Sequence, residues 1–342
     1  MPPKSSHFTE AMLDAKAQAT LEPRLDLAAD LADYDQLVVF ANPAAGRAGE
    51  IDGVMHGLNS AGLHLEIDLA ETSPDISENQ TALRGLSKKC LWAVHGGDGT
   101  LSVMCAGAHA IEGFQNPGLV LAGGSKNDLA RQVNDSRSLK NPAEALRRGR
   151  IAPLNPIEFN INYDNPGLDP LQRLAFAYSS LGVTGQVIRD VNDPDYKQRK
   201  IHKFPGGTRL ADAAISLGAL TQAESFWLHP GDDEMPQPAI DVIAVNGSRM
   251  AGSFRPRVGL HNPEARIIIS ANRLRAVGVV ACLSAGLGLG QKLGQNDEYI
   301  TRITGATGNY LQIDGDELPV RGDGQLGLKI AERGIKIITT HR

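Results

Sequence analysis

Between residues 37 and 148 short apolar runs alternate with longer stretches of helical periodicity. Residues 37–41 (LVVFA) form a β-type run that stops at Asn42-Pro43-Ala44-Ala45-Gly46-Arg47. Residues 50–61 have the spacing of a helix, 63–69 alternate as a strand does, and 76–88 are again helical. Residues 91–94 read as a buried strand, 101–111 as a helix and 118–122 as another apolar strand. Helices follow over 129–132 and 142–148. Strands alternating with helices make βαβ units. The pattern therefore predicts an α/β N-terminal domain over 35–153, built on a Rossmann-like, mostly parallel sheet.

After residue 152 the texture changes. Short apolar runs at 175–180, 225–228, 240–245, 266–270, 299–303, 310–313 and 327–330 follow one another with turn residues between them. Two helical stretches interrupt them, near 209–219 and 272–289. Short strands at close spacing predict a β-rich, antiparallel, sandwich-like second domain over 154–342. Residues 190–203 are densely charged and read as a solvent-exposed loop. Residues 1–34 are expected to be an N-terminal extension containing one helix. They carry charges throughout and no apolar core of a secretory signal.

At 342 residues, two domains are the expectation. Lys+Arg at 34 against Asp+Glu at 39 leaves a net charge of −5. That balance supplies no general attraction to nucleic acid or anionic lipid, so no nucleic-acid partner is expected and membrane contact has to be local. The three cysteines, Cys90, Cys105 and Cys282, are scattered without metal-ligand spacing and fit reduced thiols in the cytoplasm. None of the nine histidines stands four residues from another with a carboxylate partner. The longest apolar run, 276–290, has 15 residues, whereas a membrane-spanning helix needs about 20. No transmembrane segment is expected; the run is either a buried helix or one that turns an apolar face to lipid.

Three strand-to-helix turns, at 42–47, 96–100 and 123–128, are glycine-rich or polar. In parallel sheets ligands bind beyond the carboxyl ends of the strands, where these turns lie. The richest is Gly96-Gly97-Asp98-Gly99-Thr100. Glycine lets backbone approach a bulky anion, and a following helix N-terminus offers free N–H groups to phosphate. Asp98 is placed to hold Mg²⁺ or a phosphate-bound water. The plainer alternative is a tight turn between strand and helix. His95 either backs this turn or simply closes the strand.

Four segments carry a resemblance: Asn42-Pro43-Ala44-Ala45-Gly46, Gly96–Thr100, Gly124-Ser125-Lys126-Asn127-Asp128-Leu129-Ala130-Arg131 and Asp314-Gly315-Asp316. In this order and spacing the chain resembles the diacylglycerol kinase catalytic-domain family. That family includes sphingosine, ceramide and bacterial lipid kinases and is related to NAD kinases and 6-phosphofructokinases. The resemblance runs over residues 36–338. It implies a two-domain lipid kinase/NAD kinase-like architecture with ATP and Mg²⁺ as cofactors. Asn42 and the turn to Gly46 would approach the nucleotide, with Arg47 adding positive charge. Gly96, Gly97, Asp98, Gly99 and Thr100 would form the phosphate loop. In the third motif Gly124, Ser125 (where the family usually has Thr), Asn127, Asp128 and Arg131 align with nucleotide-binding positions. Read without the family, Asn127-Asp128 is a helix N-cap pair.

Asp314 aligns with the family aspartate proposed as general base, so Asp314 and Asp98 are the expected catalytic residues. Asp98 and Asp316 are the expected metal ligands, Asp316 standing where the family has glutamate. A β-turn is the plain reading of 314–316. The implied reaction is γ-phosphoryl transfer to a lipid hydroxyl at a membrane surface, with diacylglycerol converted to phosphatidic acid. The alternatives are a ceramide or sphingoid-base kinase, an NAD-kinase-like small-molecule kinase, or a catalytically silent regulatory homologue. The implied location is cytoplasmic, peripherally on the inner face of the membrane, and a homodimer stays open. The chain departs from the family after Val245-Asn246-Gly247, where an expected acidic pair is missing, so no structural metal is predicted there. Gly182-Val183-Thr184-Gly185 replaces the family's Gly-hydrophobic-Asp-Ala. Arg255 and Arg257 are either phosphate partners or solvated loop charges. All of this requires residue 314 to fold back against residue 98 across an interdomain groove.

Overall fold

The structure is a computed structural model that describes residues 31–45, 48–124, 127–193, 195, 207–231, 234–247, 250, 264–285 and 289–340. Its first sheet contains β1 (Gln36–Ala41), β2 (Glu66–Glu71), β3 (Cys90–Gly96), β4 (Gly118–Ala122) and β5 (Arg150–Leu154). The helices around it are α1 (Ile51–Asn59), α2 (Ile76–Arg84), α3 (Asp98–His109), α4 (Asp128–Val133), α5 (Ser136–Lys140) and α6 (Pro142–Arg148). β3 is buried along its whole length because it is covered on both faces. Trp92 and Val94 pack with Leu101 and Met104 of α3, while Leu91 and Ala93 face Leu58 of α1 and Leu146 of α6. A period of two thus supplies both faces of one continuous apolar strand.

The remaining strands are β6 (Ile157–Tyr163), β7 (Leu171–Ala175), β8 (Tyr178–Gly182), β9 (Phe226–His229), β10 (Gln237–Ala239) and β11 (Asp241–Val245). They continue as β12 (Glu264–Ser270), β13 (Gln291–Gly294), β14 (Glu298–Thr304), β15 (Tyr310–Ile313), β16 (Asp316–Pro319), β17 (Gly324–Ile330) and β18 (Ile335–Thr339). The interspersed helices are α7 (Val183–Asn192), α8 (Gly207–Gln222) and α9 (Arg273–Ser284). Two antiparallel sheets result, ordered β10-β9-β14-β17-β6-β7 and β13-β12-β11-β8-β15-β16. Their inner faces share one core that includes Phe159, Phe226, Val242, Ile267, Leu311 and Leu328. This is the expected sandwich-like arrangement.

The first sheet has the order β2-β1-β3-β4-β18-β5, parallel except where β18 meets β5. The chain therefore returns after the sandwich to insert Ile335–Thr339 beside β4, and the α/β unit is completed by residues far beyond 153. Other boundaries also differ from expectation. The helix predicted to begin at 101 begins at Asp98, so the Asp-Gly-Thr of the second motif forms its first turn. The single strand predicted at 175–180 is two strands, interrupted at Phe176 and Ala177. The charged segment 190–203 begins inside α7, whose Arg189 lies over the Tyr310 ring 4.6 Å from its centre. Position 194 and positions 196–203 lie outside the described residues, as do 1–30, where the N-terminal helix was expected.

Candidate functional site

The parallel strands β1, β3 and β4 end side by side, and the three motif turns meet at that edge. A Cβ on Gly96 would stand 2.6 Å from Cβ of Thr100, so only glycine lets Thr100 fold back against the strand end. A Cβ on Gly124 would stand 2.5 Å from Cα of Gly97. The second and third turns therefore touch backbone to backbone. Asn42 ties the first turn to the second: its Nδ2 donates to Thr100 Oγ1 at 2.7 Å, and its backbone N–H donates to the His95 carbonyl at 3.1 Å. Its Oδ1 accepts from Ala44 N at 2.9 Å.

Asn127 adopts a left-handed backbone (φ 55°), a conformation Asn tolerates better than most residues. Its amide closes a ring with Gly124, accepting from Gly124 N at 2.7 Å and donating to Gly124 O at 2.6 Å. Asn127 occupies the N-cap position of α4, but its side chain makes no capping bond. Asp98 supplies one instead, its Oδ1 accepting from Leu129 N at 3.1 Å. Burial raises the Asp98 pKa, while backbone N–H groups of Asp128, Leu129 and Asn127 and the charge of Arg131 oppose the rise. Asp128 is fully buried beside it. The capping expectation is thus corrected: the cap comes from the second motif and locks it to the third.

The turn between β15 and β16 pairs Ile313 with Asp316 around Asp314 and Gly315, whose φ values are 48° and 101°. Two left-handed residues in a two-residue loop are what a tight hairpin asks for, hence the Asp-Gly. The Asp314 side chain turns inward and is 2% exposed. Its Oδ2 accepts from Phe176 N at 2.7 Å and Ser102 Oγ at 2.9 Å. Its Oδ1 accepts from Ala177 N and Tyr178 N, both at 2.9 Å. A carboxylate offers about four lone-pair sites, and all four are taken. Burial lifts its pKa to about 6 against the pull of these donors. The break between β7 and β8 exists to present three successive N–H groups to this one carboxylate. Asn246 braces it from behind, its backbone N–H donating to the Ala177 carbonyl at 2.8 Å.

Asp316, two residues on, is exposed and faces the first sheet's helix. A Cβ on Gly99 would stand 2.7 Å from Asp316 Oδ1, and one on Gly315 would stand 4.0 Å from Asp98 Cβ. The two carboxylates of Asp98 and Asp316 therefore flank the amino end of α3, where a side chain on Gly99 would intrude. Although the residue as a whole is exposed, its carboxyl lies against Gly99 and is partly desolvated there; this and the neighbouring Glu317 charge raise the Asp316 pKa, and Arg173 opposes them.

The structure brings together Asn42, Gly96, Gly97, Asp98, Gly99, Thr100, Gly124, Asn127, Asp128, Arg131, Asp314 and Asp316. Gly46, Arg47 and Ser125 lie outside the described residues, as do Arg255 and Arg257. Ser102 and the 176–178 backbone went unread in the sequence. Ser102 could have been found one helical turn beyond Asp98; no local pattern announces the backbone segment. At Gly182-Val183-Thr184, where the chain departs from the resemblance, the threonine is held by a buried acid. Asp241, fully buried, accepts from Thr184 N at 3.2 Å and Thr184 Oγ1 at 2.6 Å at the start of α7, and burial pushes its pKa up to about 7.

Among the described residues no group of three or more His, Cys, Asp or Glu side chains is placed to hold a metal ion. Two carboxylates nevertheless suit Mg²⁺, which keeps waters and phosphate oxygens in its shell and takes only one or two protein carboxylates. The bare glycine backbone at the start of α3 suits a phosphate for the reasons of helix dipole and free N–H groups. Neither ring nitrogen of buried His95 has a partner among the described residues, and burial lowers its pKa. Among the described residues no helix is long and apolar enough to cross a membrane.

Comparisons with known proteins bear on the fold. Residues 36–159 match the diacylglycerol kinase catalytic domain. No curated protein matches the chain. Among solved structures it is similar to a diacylglycerol kinase from Bacillus anthracis str. Sterne, with 15% identity and a TM-score of 0.63 over 90% of this chain and 97% of that one. It is also similar to yeast NADH kinase complexed with NADH, with 13% identity and a TM-score of 0.52 over 90% of this chain and 84% of that one. At such identities the likeness establishes the fold, which covers the first sheet and the sandwich together.

Proposed function

We propose that this chain, a kinase by the catalytic domain over residues 36–159, transfers the γ-phosphoryl group of ATP to a lipid hydroxyl, with diacylglycerol as acceptor and phosphatidic acid as product. The observation that carries the reading is the approach of the Asp314-Gly315-Asp316 turn to the Asp98-Gly99 helix start. Two parts of the chain more than two hundred residues apart meet at the one place where phosphate would be held. In this reading the backbone of Gly96–Thr100 and of Gly124 receives the ATP phosphates, and Asn42 keeps the first turn in register with them. Asp98 and Asp316 would hold Mg²⁺, which when bound offsets negative charge on the phosphates. Arg131, half-buried behind Asp98, adds a fixed positive charge to the same region.

Phosphoryl transfer passes through a loose transition state, so positioning and electrostatics do more than covalent chemistry. That bears on Asp314. Its lone pairs are filled by structural donors, so a lipid hydroxyl would have to displace one of them to reach it. We therefore give Asp314 a positioning role: it fixes the turn that carries Asp316 and joins α3 to the sandwich. This departs from the general-base role that the resemblance implies.

The test is phosphotransfer from ATP to a panel of diacylglycerol, ceramide, sphingosine and NAD in detergent micelles, read by mass. Phosphatidic acid is the expected product. ATP binding without transfer to any lipid would refute the reading, and phosphorylation of NAD alone would replace it by a small-molecule kinase. A ceramide or sphingosine product would keep the lipid kinase and change the acceptor.

A further inference from the structure

Helix α9 is built the wrong way round for a helix in water. Its inner face is ordinary: Ala276 and Leu283 are buried, and Leu283 joins the core that also holds Leu129 and Ala130 of α4 and Phe176–Tyr178 of the Asp314 clamp. The pole opposite them carries Leu274, Gly278 and Ala281, all exposed, with Val277 on its flank; Val280, one turn after Ala276, is half-exposed at the margin of the inner face. Leu274 is 82% exposed, Val277 50% and Val280 48%. A solvent-facing helix normally puts polar residues on that pole. Here none appears over residues 276–283. The first turn carries two cations, Arg273 and Arg275, at the end where the helix dipole disfavours positive charge. Neither pairs with an acidic side chain among the described residues; Arg273 donates only to the Ala223 carbonyl, at 3.4 Å.

We propose that α9 is the element by which this chain docks on an anionic lipid bilayer, its apolar pole entering the headgroup–acyl boundary while Arg273 and Arg275 engage lipid phosphates. The inference rests on the lipid-kinase reading above and adds the docking surface to it. Apolar residues on one face with arginines at the margin are the complement of such a boundary. A second copy of the chain is a poorer occupant. A helix of this length is about 18 Å long, so its face offers a few hundred Å² at most, against roughly 800 Å² per partner in a stable dimer.

The experiment is flotation of the full chain with vesicles of phosphatidylcholine, with or without phosphatidylglycerol and without diacylglycerol, alongside transfer assays on a soluble short-chain diacylglycerol. The double variant Leu274→Glu/Val277→Glu is expected to lose vesicle partitioning by on the order of a hundredfold. Arg273→Gln/Arg275→Gln is expected to lose only the preference for phosphatidylglycerol, by at least about tenfold. Both variants should keep the wild-type rate on the soluble acceptor, which also shows that they fold. Flotation of the Glu double variant equal to wild type overturns the proposal. So does a concentration-dependent dimer in sedimentation that the same variant dissolves, because the helix then serves a second copy. Absence of transfer to every acceptor, with flotation lost in the Glu variant, would remove the lipid-kinase reading and leave the docking surface standing.

Discussion

Replacing Asp314 separates a clamp from a base, because Ala and Asn disturb different things. In Asp314→Ala the N–H groups of Phe176, Ala177 and Tyr178 lose their buried acceptor, and so does the Ser102 hydroxyl. Each unpaired buried N–H costs about 1–3 kcal/mol, so the three together cost about 6 kcal/mol. Alanine also adopts φ 48° less readily, adding about 1 kcal/mol. Against this, removing the buried charge is favourable. The native pKa of about 6 lies above the ordinary carboxylate value of 3.8, which corresponds to about 3 kcal/mol spent on keeping the group ionised at neutral pH. The net for Ala is a loss of about 4 kcal/mol. Asparagine keeps one oxygen for two donors, lets Ser102 reverse and accept, tolerates the left-handed backbone, and removes the charge. Only one N–H is left unpaired, and the net lies within about 1 kcal/mol of zero. Urea unfolding should therefore rank wild type and Asn together and Ala well below. As a positioning residue, Asp314→Asn should lower kcat by less than about tenfold, whereas removal of a general base costs about a hundred- to ten-thousandfold. An Ala variant as stable as wild type would refute the clamp. A stable Asn variant with kcat reduced a thousandfold would make Asp314 the base.

Three further outcomes follow from the same geometry. Gly124→Ala puts a Cβ 2.5 Å from Gly97 Cα and should part the two loops; calorimetric titration with ATP is expected to show at least about tenfold weaker binding, and unchanged affinity would contradict the backbone contact. Asp316→Ala is expected to cost about a hundredfold in kcat with little change in melting temperature, because the side chain is exposed and the proposed role is toward ligand alone, and Asp316→Glu should recover much of it; a melting temperature that falls in step with activity would give Asp316 a structural role. Stability should fall as pH rises from about 4 to about 7, since Asp314 and Asp241 keep their protons in the folded chain to about 6 and about 7 and lose them near 3.8 when unfolded. The native state binds more protons in that window, so each group removes up to about 1.4 kcal/mol per pH unit. Unfolding midpoints at about pH 5 and pH 8 check the sign, and Asp241→Asn should flatten the upper part of the slope.

What the sequence shows plainly, and what it hides, divides along the distance over which the cause acts. β3 and β4 were legible because a strand covered on both faces is a continuous apolar run, and helix α6 because Pro142 follows an Asn141 whose side chain accepts from Ala143 N. β18 was not, because nothing in Ile335–Thr339 records that its partners are β4 and β5 rather than the sandwich. The run around 175–180 has the apolar content of a single strand, and it breaks only because a carboxylate 137 positions away needs the N–H of Ala177. The site behaves in the same way. Glycines at 96, 97, 99 and 124 were readable as a close approach to something, since glycine's value there is local. The roles of the carboxylates were not, since a role is set by partners. Asp98 takes the capping bond that Asn127 was expected to make, and Asn127 turns back to hold Gly124. Asp314, the residue whose identity pointed most directly at chemistry, spends its lone pairs on structure, and its neighbour Asp316 lies against Gly99 at the start of α3. A motif thus marks a place through its glycines and leaves the partners of its acids unrecorded, because an acid's hydrogen bonds are long-range facts. The same argument makes Asp316 rather than Asp314 the carboxylate whose loss should cost activity without stability.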